Sequence, residues 1–474
     1  MIENVSSKDI VEVNRRIDRM SGLGVSYLLL ALIGVSYFFA FYDIDAFGYS
    51  LNTLIATFHW TTSETAIPAS AYLGGYVIGS LLIGNLSDRI GRRDGLTLTV
   101  IILTVGGILT ALSWNLLSFS FFRLITGMGT GAELSIAATI VSEYTPAKSR
   151  GRFLQLNYFW GAIALGIAPF MILYFLGTVL TWRFVFFFGA LVGFLILVMR
   201  RKYLIESPRW LIIKGRKDEA FEILKKMEEK ANTRKLKKSN LDVKEEPEAL
   251  ENPSEKVPLA ELFSRKFRWR AAMVIAFWAF WYVTVYAWLG YEPLLLGQLG
   301  VTLPDGLFFV ALSDLAIPLA AVVMFIVVEK SQRKYWVAGI SFLFFICSLI
   351  ISLTTSVDII FIAAFFGAFA IGANSIAYVY TAEMFPTRLR ATGTSWGDGG
   401  GHLGGAIAPF VVVAALSLFG ARGDFELLAF VVLISGFIVL LGPKTTGLAL
   451  TLSSKISKNN VPVPDIIEDQ GVKK

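Results

Sequence analysis

Twelve long apolar runs constrain what this chain can fold into more than any other feature. They lie near residues 24–50, 65–86, 95–113, 116–142, 153–177, 183–200, 270–296, 304–328, 335–354, 358–382, 392–418 and 425–442. Each matches a helix crossing the hydrocarbon of a bilayer, which takes about 20 mostly apolar residues. Of the 474 residues, 55% are apolar and 17% charged, whereas a soluble domain carries about 25% charged residues. A soluble fold has too little interior to hide such a surplus, but a lipid-facing surface has no need to. The expected fold class is therefore an all-α membrane protein. The polar first twenty residues lack the apolar core of a cleavable signal, so the first span is expected to direct insertion. A single cysteine, Cys347, and two histidines leave no framework for disulfides or a structural metal. No cofactor is implied.

The basic residues test the span count. Alternating the loops between two faces places 40 of the 43 Lys and Arg residues on one face. The other face receives Arg183 and Arg422, and Arg123 falls inside the fourth span. This is the asymmetry of the positive-inside rule. It predicts a multi-pass protein of the cell membrane with both termini cytoplasmic. It also accounts for the net charge of +7 without a nucleic-acid partner. The expected partners are lipid, protons and a small solute, with the chain acting as a monomer.

One long polar stretch divides the spans six and six. The reading is an N-terminal segment (1–23), a first lobe (24–200), a linker (201–269), a second lobe (270–442) and a tail (443–474). The linker is expected to hold short surface helices over 206–230 and a flexible Lys/Glu/Pro-rich stretch over 231–257. The halves echo each other. Glu143, Pro146 and Arg150 recur as Glu383, Pro386 and Arg390, 240 residues on. Asp88, Arg92 and Arg93 recur as Glu329, Arg333 and Lys334 at an offset of 241, and Arg183 recurs as Arg422 at 239. These matches predict two pseudo-symmetric six-helix lobes with a solute path between them.

Five motifs in order then carry a family resemblance. Gly84-Asn-Leu-Ser-Asp88-Arg-Ile-Gly91-Arg92-Arg93 resembles the loop between helices two and three of the major facilitator superfamily. Arg123-Leu-Ile-Thr-Gly127-Met-Gly129-Thr-Gly131 is similar to its fourth-helix motif. Glu206-Ser-Pro208-Arg-Trp-Leu and Pro443-Lys-Thr-Thr-Gly447-Leu resemble two motifs of the sugar porter group, the second with Lys444 where an acid is usual. Glu383, Pro386 and Arg390-Ala-Thr-Gly393 resemble sugar porters and related organic-acid and organic-ion transporters. The resemblance implies transport by alternating access and no enzymatic activity. Physically, Asp88 can face a helix N-terminus and the basic residues beside it. Gly84, Asp88, Gly91, Arg92, Arg93, Glu143, Arg150, Glu329, Arg333, Glu383 and Arg390 are expected to form rim contacts that latch the halves in one state.

Ionisable groups inside spans are costly and mark function by default. Arg123 needs an acid, and Asp43 and Asp45 are candidates on different faces of the first helix. The resemblance implies that Asp43 carries the proton and pairs with Arg123. An aspartate beside an arginine holds its charge, and an aspartate freed into an apolar cavity takes a proton. Glu133, Asp314, and the i,i+4 pair Asp398 and His402 are further candidate proton stations.

Solute contacts are expected from aromatic and amide side chains: Tyr72, Tyr76, Asn157, Tyr158, Trp281, Tyr282, Tyr286, Asn374, Tyr378 and Trp396. The glutamines by which sugar porters are known at helices five and seven appear here as Tyr158 and as Phe280-Trp281. This points away from a hexose site and toward another sugar or an organic acid. A proton-coupled symporter is the leading reading. A uniporter or exporter of the same fold is its rival, and a non-transporting membrane sensor is the alternative from another class.

Overall fold

Helix follows from the apolar runs because a chain in hydrocarbon must satisfy its own backbone hydrogen bonds. The computed structural model describes residues 7–20, 23–146, 149–177, 181–233, 259–301, 305–327, 330–385 and 387–445. A short helix, α1 (Ser7–Asp18), precedes the first span. The first half then comprises α2 (Tyr27–Phe58), α3 (Ala66–Ile90), α4 (Arg92–Ala111), α5 (Leu116–Tyr144), α6 (Arg150–Leu176) and α7 (Thr181–Tyr203). Short helices α8 (Pro208–Ile213), α9 (Lys217–Thr233) and α10 (Leu259–Leu262) follow. The second half runs through α11 (Arg268–Gln298), α12 (Asp305–Asp314), α13 (Ala316–Val327), α14 (Arg333–Leu353), α15 (Val357–Ala373), α16 (Ile376–Glu383) and α17 (Thr387–Leu440).

Three elements depart from simple rods. The 54 residues of α17 would measure about 81 Å as one rod, far more than a bilayer is thick. Gly420, at φ 70° and ψ −179°, folds it into two arms, the eleventh and twelfth spans. The eighth span is interrupted at Leu315 between α12 and α13, and the tenth at Asn374 and Ser375 between α15 and α16. The first span ends at Phe58, eight residues beyond its sequence estimate, and His59 closes it in the left-handed conformation at φ 55°.

Large apolar side chains such as Leu82, Phe121, Phe325 and Phe430 stand more than half exposed on the outside of the bundle, as lipid contact requires. Within the first half α3 packs on α5, α4 on α5 and α7, and α2 on α6 and α7. Glycine makes the α3–α5 approach possible: a Cβ on Gly127 or Gly131 would run into the carbonyl oxygens of Tyr72 and Tyr76. The halves meet where α2 lies on α11, α3 on α17, and α6 on α12 and α13.

The internal echo is visible in the contacts. Arg183 Nη1 donates to the Ser113 carbonyl at 2.8 Å, and Arg422 Nη1 to the Ser352 carbonyl at 2.9 Å. Both donor and acceptor are repeated 239 residues on. At the basic end, Arg92 Nε meets Glu143 Oε1 at 3.1 Å, and Arg333 Nη1 meets Glu383 Oε1 at 3.2 Å. The polar N-terminal segment packs under the first half through α1. Val13 and Ile17 of α1 join Trp210, Leu211 and Leu224 of α8 and α9 in a small apolar cluster, flanked by the Arg16–Glu228 ion pair at 2.6 Å.

Candidate functional site

The fourth-span arginine finds its predicted partner. Arg123 Nη1 lies 2.5 Å from Asp43 Oδ2, and both side chains are largely buried inside the first half. The guanidinium also sits 4.0 Å from the centroid of the Tyr72 ring, a cation–π contact that steadies it. Tyr72 in turn donates to Thr130 Oγ1 at 3.0 Å. It is therefore part of the ion-pair setting and not a cage wall. Asp43 lines an internal cavity with Ser36, Phe39, Thr126 and Phe186. Asp45, two residues on, faces the other half, as helical phase requires.

At the centre, between the halves, aromatic residues from α3, α6, α11 and α16 converge around His402 of α17. Tyr76 stacks on its imidazole, with centroids 3.9 Å apart and planes at 8°. Tyr282 lies 4.1 Å away on a tilted plane. His402 Nδ1 is 2.8 Å from the Asp398 carbonyl oxygen. A carbonyl only accepts, so Nδ1 carries a proton. In the neutral ring, Nε2 then accepts from the Tyr286 hydroxyl at 2.9 Å. The Asp398 carboxylate accepts from Tyr282 at 2.5 Å and from Tyr378 at 3.1 Å. Tyr158 reaches Tyr378 at 5.9 Å between centroids, so the first half contributes two walls, Tyr76 and Tyr158. Trp278, absent from the sequence expectations, stacks on Tyr282 at 5.1 Å and holds Thr381 through its indole N–H at 3.0 Å. Its signal was one helical turn before Tyr282, the spacing of a shared face.

Other expected solute contacts fall outside this cage. Trp281 packs on Phe344 inside the second half at 6.2 Å. Trp396 is exposed and meets Phe263 edge-on at 5.6 Å. Asn157 and Asn374 are buried, with Asn157 Nδ2 and Asn374 Oδ1 unpaired among the described residues.

Glu133 is the centre of a closed network. Arg200 grips both its oxygens, Nη2 to Oε1 at 2.6 Å and Nη1 to Oε2 at 3.2 Å. Ser36 donates to Oε1 at 2.6 Å and Thr99 to Oε2 at 2.5 Å. This corrects the charge count, which placed Arg200 on the basic face; it lies within α7 and is fully buried. Asp314 is held by Tyr49 across the halves at 2.7 Å. Near it lie Asp45 and Glu292, both buried. Sequence reasoning missed Glu292. An acid four residues from the predicted end of a span reads as interfacial until packing shows it covered.

The basic rim differs from expectation in one respect. Asp88 and Arg92 form an ion pair, Arg92 bridges to Glu143, and Arg333 pairs with Glu383. Each of these pairs joins helices of one half, bracing it from within and not latching it to the other. The acid at the N-terminus of α4 is Glu206, not Asp88. Its Oε1 accepts the Arg92 N–H at 2.9 Å and its Oε2 the Arg93 N–H at 3.2 Å. Gly91 permits this approach with φ at 112°, a value that suits glycine alone. Burial pushes the Glu206 carboxyl above its ordinary range, against the pull of those N–H donors. Gly84 faces α5 at Ser135, and Arg150 opens α6 half-buried. Glu329 and the side chain of Arg390 lie outside the described residues.

Comparison with known proteins agrees with this geometry. The profile of the family described as "Sugar (and other) transporter" matches residues 23–455. The chain belongs to that transporter family, of the major facilitator type. Among curated relatives, the niacin transporter NiaP of Acinetobacter baylyi is 30% identical over 90% of this chain and 95% of its own. The 4-hydroxybenzoate transporter PcaK of the same organism is 26% identical over 78% and 80% respectively. Among solved structures, a D-xylose–proton symporter superposes with a TM-score of 0.68, at 17% identity and covering 89% of this chain and 99% of its own. That last likeness speaks to the fold. The chain is thus a multi-pass membrane transporter and not an enzyme.

Proposed function

We propose that this transporter carries a small planar organic acid together with a proton, by alternating access between its halves. The observation that carries the substrate class is the cage of Tyr76, Tyr158, Tyr282, Tyr286 and Tyr378 around His402. Ring faces at stacking distance favour a planar solute, and the Tyr76 and Tyr158 hydroxyls, which unlike those of Tyr282, Tyr286 and Tyr378 do not donate to Asp398 or His402, can donate to its carboxylate. Relatives named for niacin and 4-hydroxybenzoate transport support that class over a sugar. The coupling rests on Asp43. Paired with Arg123 it is charged; separated from it, it takes a proton, and the neutral carrier reorients. The basic rim and both termini face the cytoplasm of the cell membrane, and one chain suffices for transport. The two lobes are residues 24–200 and 270–442, joined by the linker 201–269.

Proteoliposomes with an imposed inward proton gradient test this. Nicotinate, benzoate and 4-hydroxybenzoate are expected to accumulate, and D-xylose and choline are not. Collapsing the gradient with an ionophore should abolish accumulation. Asp43→Asn should abolish it too while sparing exchange of labelled for unlabelled solute. Accumulation that survives both changes would refute the coupling, and uptake of xylose alone would refute the substrate class.

A further inference from the structure

We propose that Asp45, Glu292 and Asp314 form a second proton-binding site, which must be loaded before the halves close on the face opposite the basic rim. The proposal rests on the proton-coupled reading above and deepens it. Asp45 lies on α2, Glu292 on α11 and Asp314 on α12, so both halves contribute. All three side chains are at most 2% exposed. Each has one oxygen without a hydrogen-bond partner: Asp45 Oδ2, Glu292 Oε1 and Asp314 Oδ1. Among the described residues no lysine, arginine or histidine pairs with any of them.

The surrounding groups are those of a proton site and not of a metal site. Tyr49 donates its hydroxyl to Asp314 Oδ2 across the halves. Trp288, one turn before Glu292 on α11, has a wholly buried indole N–H turned toward that carboxyl, with no partner at hydrogen-bond distance. Indole N–H is a donor only, and a donor beside a bound cation would oppose it. No set of described acids, histidines and cysteines is close enough to hold a metal ion. Three ionised carboxylates in a dry interface would repel and lose their hydration. Each proton bound removes one charge from the interface. The titratable group facing all three carboxyls is Tyr49 of α2, while the Tyr42 hydroxyl turns away to the Val185 carbonyl of α7. On α17, which packs on α11, the buried Asp424 acts on Tyr291, next to Glu292.

The site lies where closure happens. On α2, Gly48 sits against the Leu289 carbonyl of α11 so closely that a Cβ would overlap it, and Tyr49 on the next position reaches Asp314. Contact this tight excludes water, so the carboxyls cannot stay charged once the helices meet. When the face opens, water returns and protons exchange.

Spin labels test the proposal on the full chain in liposomes. Leu112→Cys and Leu353→Cys place labels at the exposed far corners of the two halves, while Cys347 is buried. Distance distributions are measured from about pH 5 to about pH 8, the range of perturbed carboxyl groups. The closed-to-open ratio on this face should rise as pH falls, by more than about tenfold per pH unit, because closure takes up at least two protons. Glu292→Gln with Asp314→Asn should hold the closed form across the range, and Glu292→Gln alone should flatten the slope. Asp43→Asn should lose solute accumulation yet keep the pH-dependent closure, which separates failure of this site from failure of the coupling reading. A wild-type ratio that ignores pH, closure driven by sodium at constant pH, or loss of the pH dependence in Asp43→Asn would each overturn the proposal.

Discussion

Breaking the Glu133–Arg200 network should cost more than any comparable surface change. Both side chains are completely buried, and Arg200 makes two bonds to a carboxylate that also accepts from Ser36 and Thr99. The network ties α2, α4, α5 and α7 into one body. Glu133→Gln leaves the guanidinium buried without its counter-charge, and removing one partner of such a pair costs about 3–5 kcal/mol. For a body of this size, each kcal/mol lowers the melting midpoint by about 2–4 °C. A fall of roughly 6–20 °C is therefore expected for Glu133→Gln, and a similar fall for Arg200→Met. The double variant Glu133→Leu with Arg200→Met has no stranded charge and should lose less than either single variant. Thermal unfolding of detergent-purified protein, followed by size-exclusion fluorescence, reads all three. Single variants that melt within a degree or two of wild type, or a double variant that loses the sum of both, would refute the reasoning.

Three further outcomes follow from named contacts. Gly131→Ala puts a methyl against the Tyr76 carbonyl; it should destabilise by about 1–3 kcal/mol and raise the half-saturation for solute, because it displaces the Tyr76 wall. Tyr76→Leu keeps an apolar side chain but loses the stacked ring, worth about 0.5–1.5 kcal/mol. Solute affinity measured by scintillation proximity should therefore fall by about twofold to tenfold. Glu206 binds its proton more tightly in the folded protein than in the unfolded chain, because burial raises its carboxyl. Its penalty is fully present where it is ionised in both states and vanishes below the ordinary carboxylate range near 4.3. The melting midpoint of wild type should accordingly rise as pH falls through the window between the two values, and Glu206→Gln should flatten that rise in the same thermal assay.

Patterns that repeat were legible before any coordinates. Twelve apolar runs and a 240-residue echo carried the architecture, and Arg183 and Arg422 make the same bond in each half because the echo is exact at those corners. Arg123 announced its partner because a lone cation in a span demands one. What stayed hidden depended on packing angles that one-dimensional patterns do not carry. Arg200 and Glu292 sit near span ends, where hydropathy cannot tell a rim charge from a covered one. The cage drew five of ten nominated aromatic and amide residues together, since any aromatic on a span can face lipid, core or path. At the rim Asp88 meets a basic neighbour, Arg92, as expected, but Glu206, distant in sequence, took the helix terminus that Asp88 was expected to face.

Solute-driven proton movement tests the central claim most directly. Proteoliposomes loaded with a pH-sensitive dye, at equal pH on both sides, receive nicotinate or 4-hydroxybenzoate outside. Coupled transport through Asp43 and Arg123 predicts that the lumen acidifies as solute enters, and that Asp43→Asn vesicles show no acidification while still exchanging solute. Solute entry with no change in luminal pH, or acidification that persists in Asp43→Asn, would contradict it.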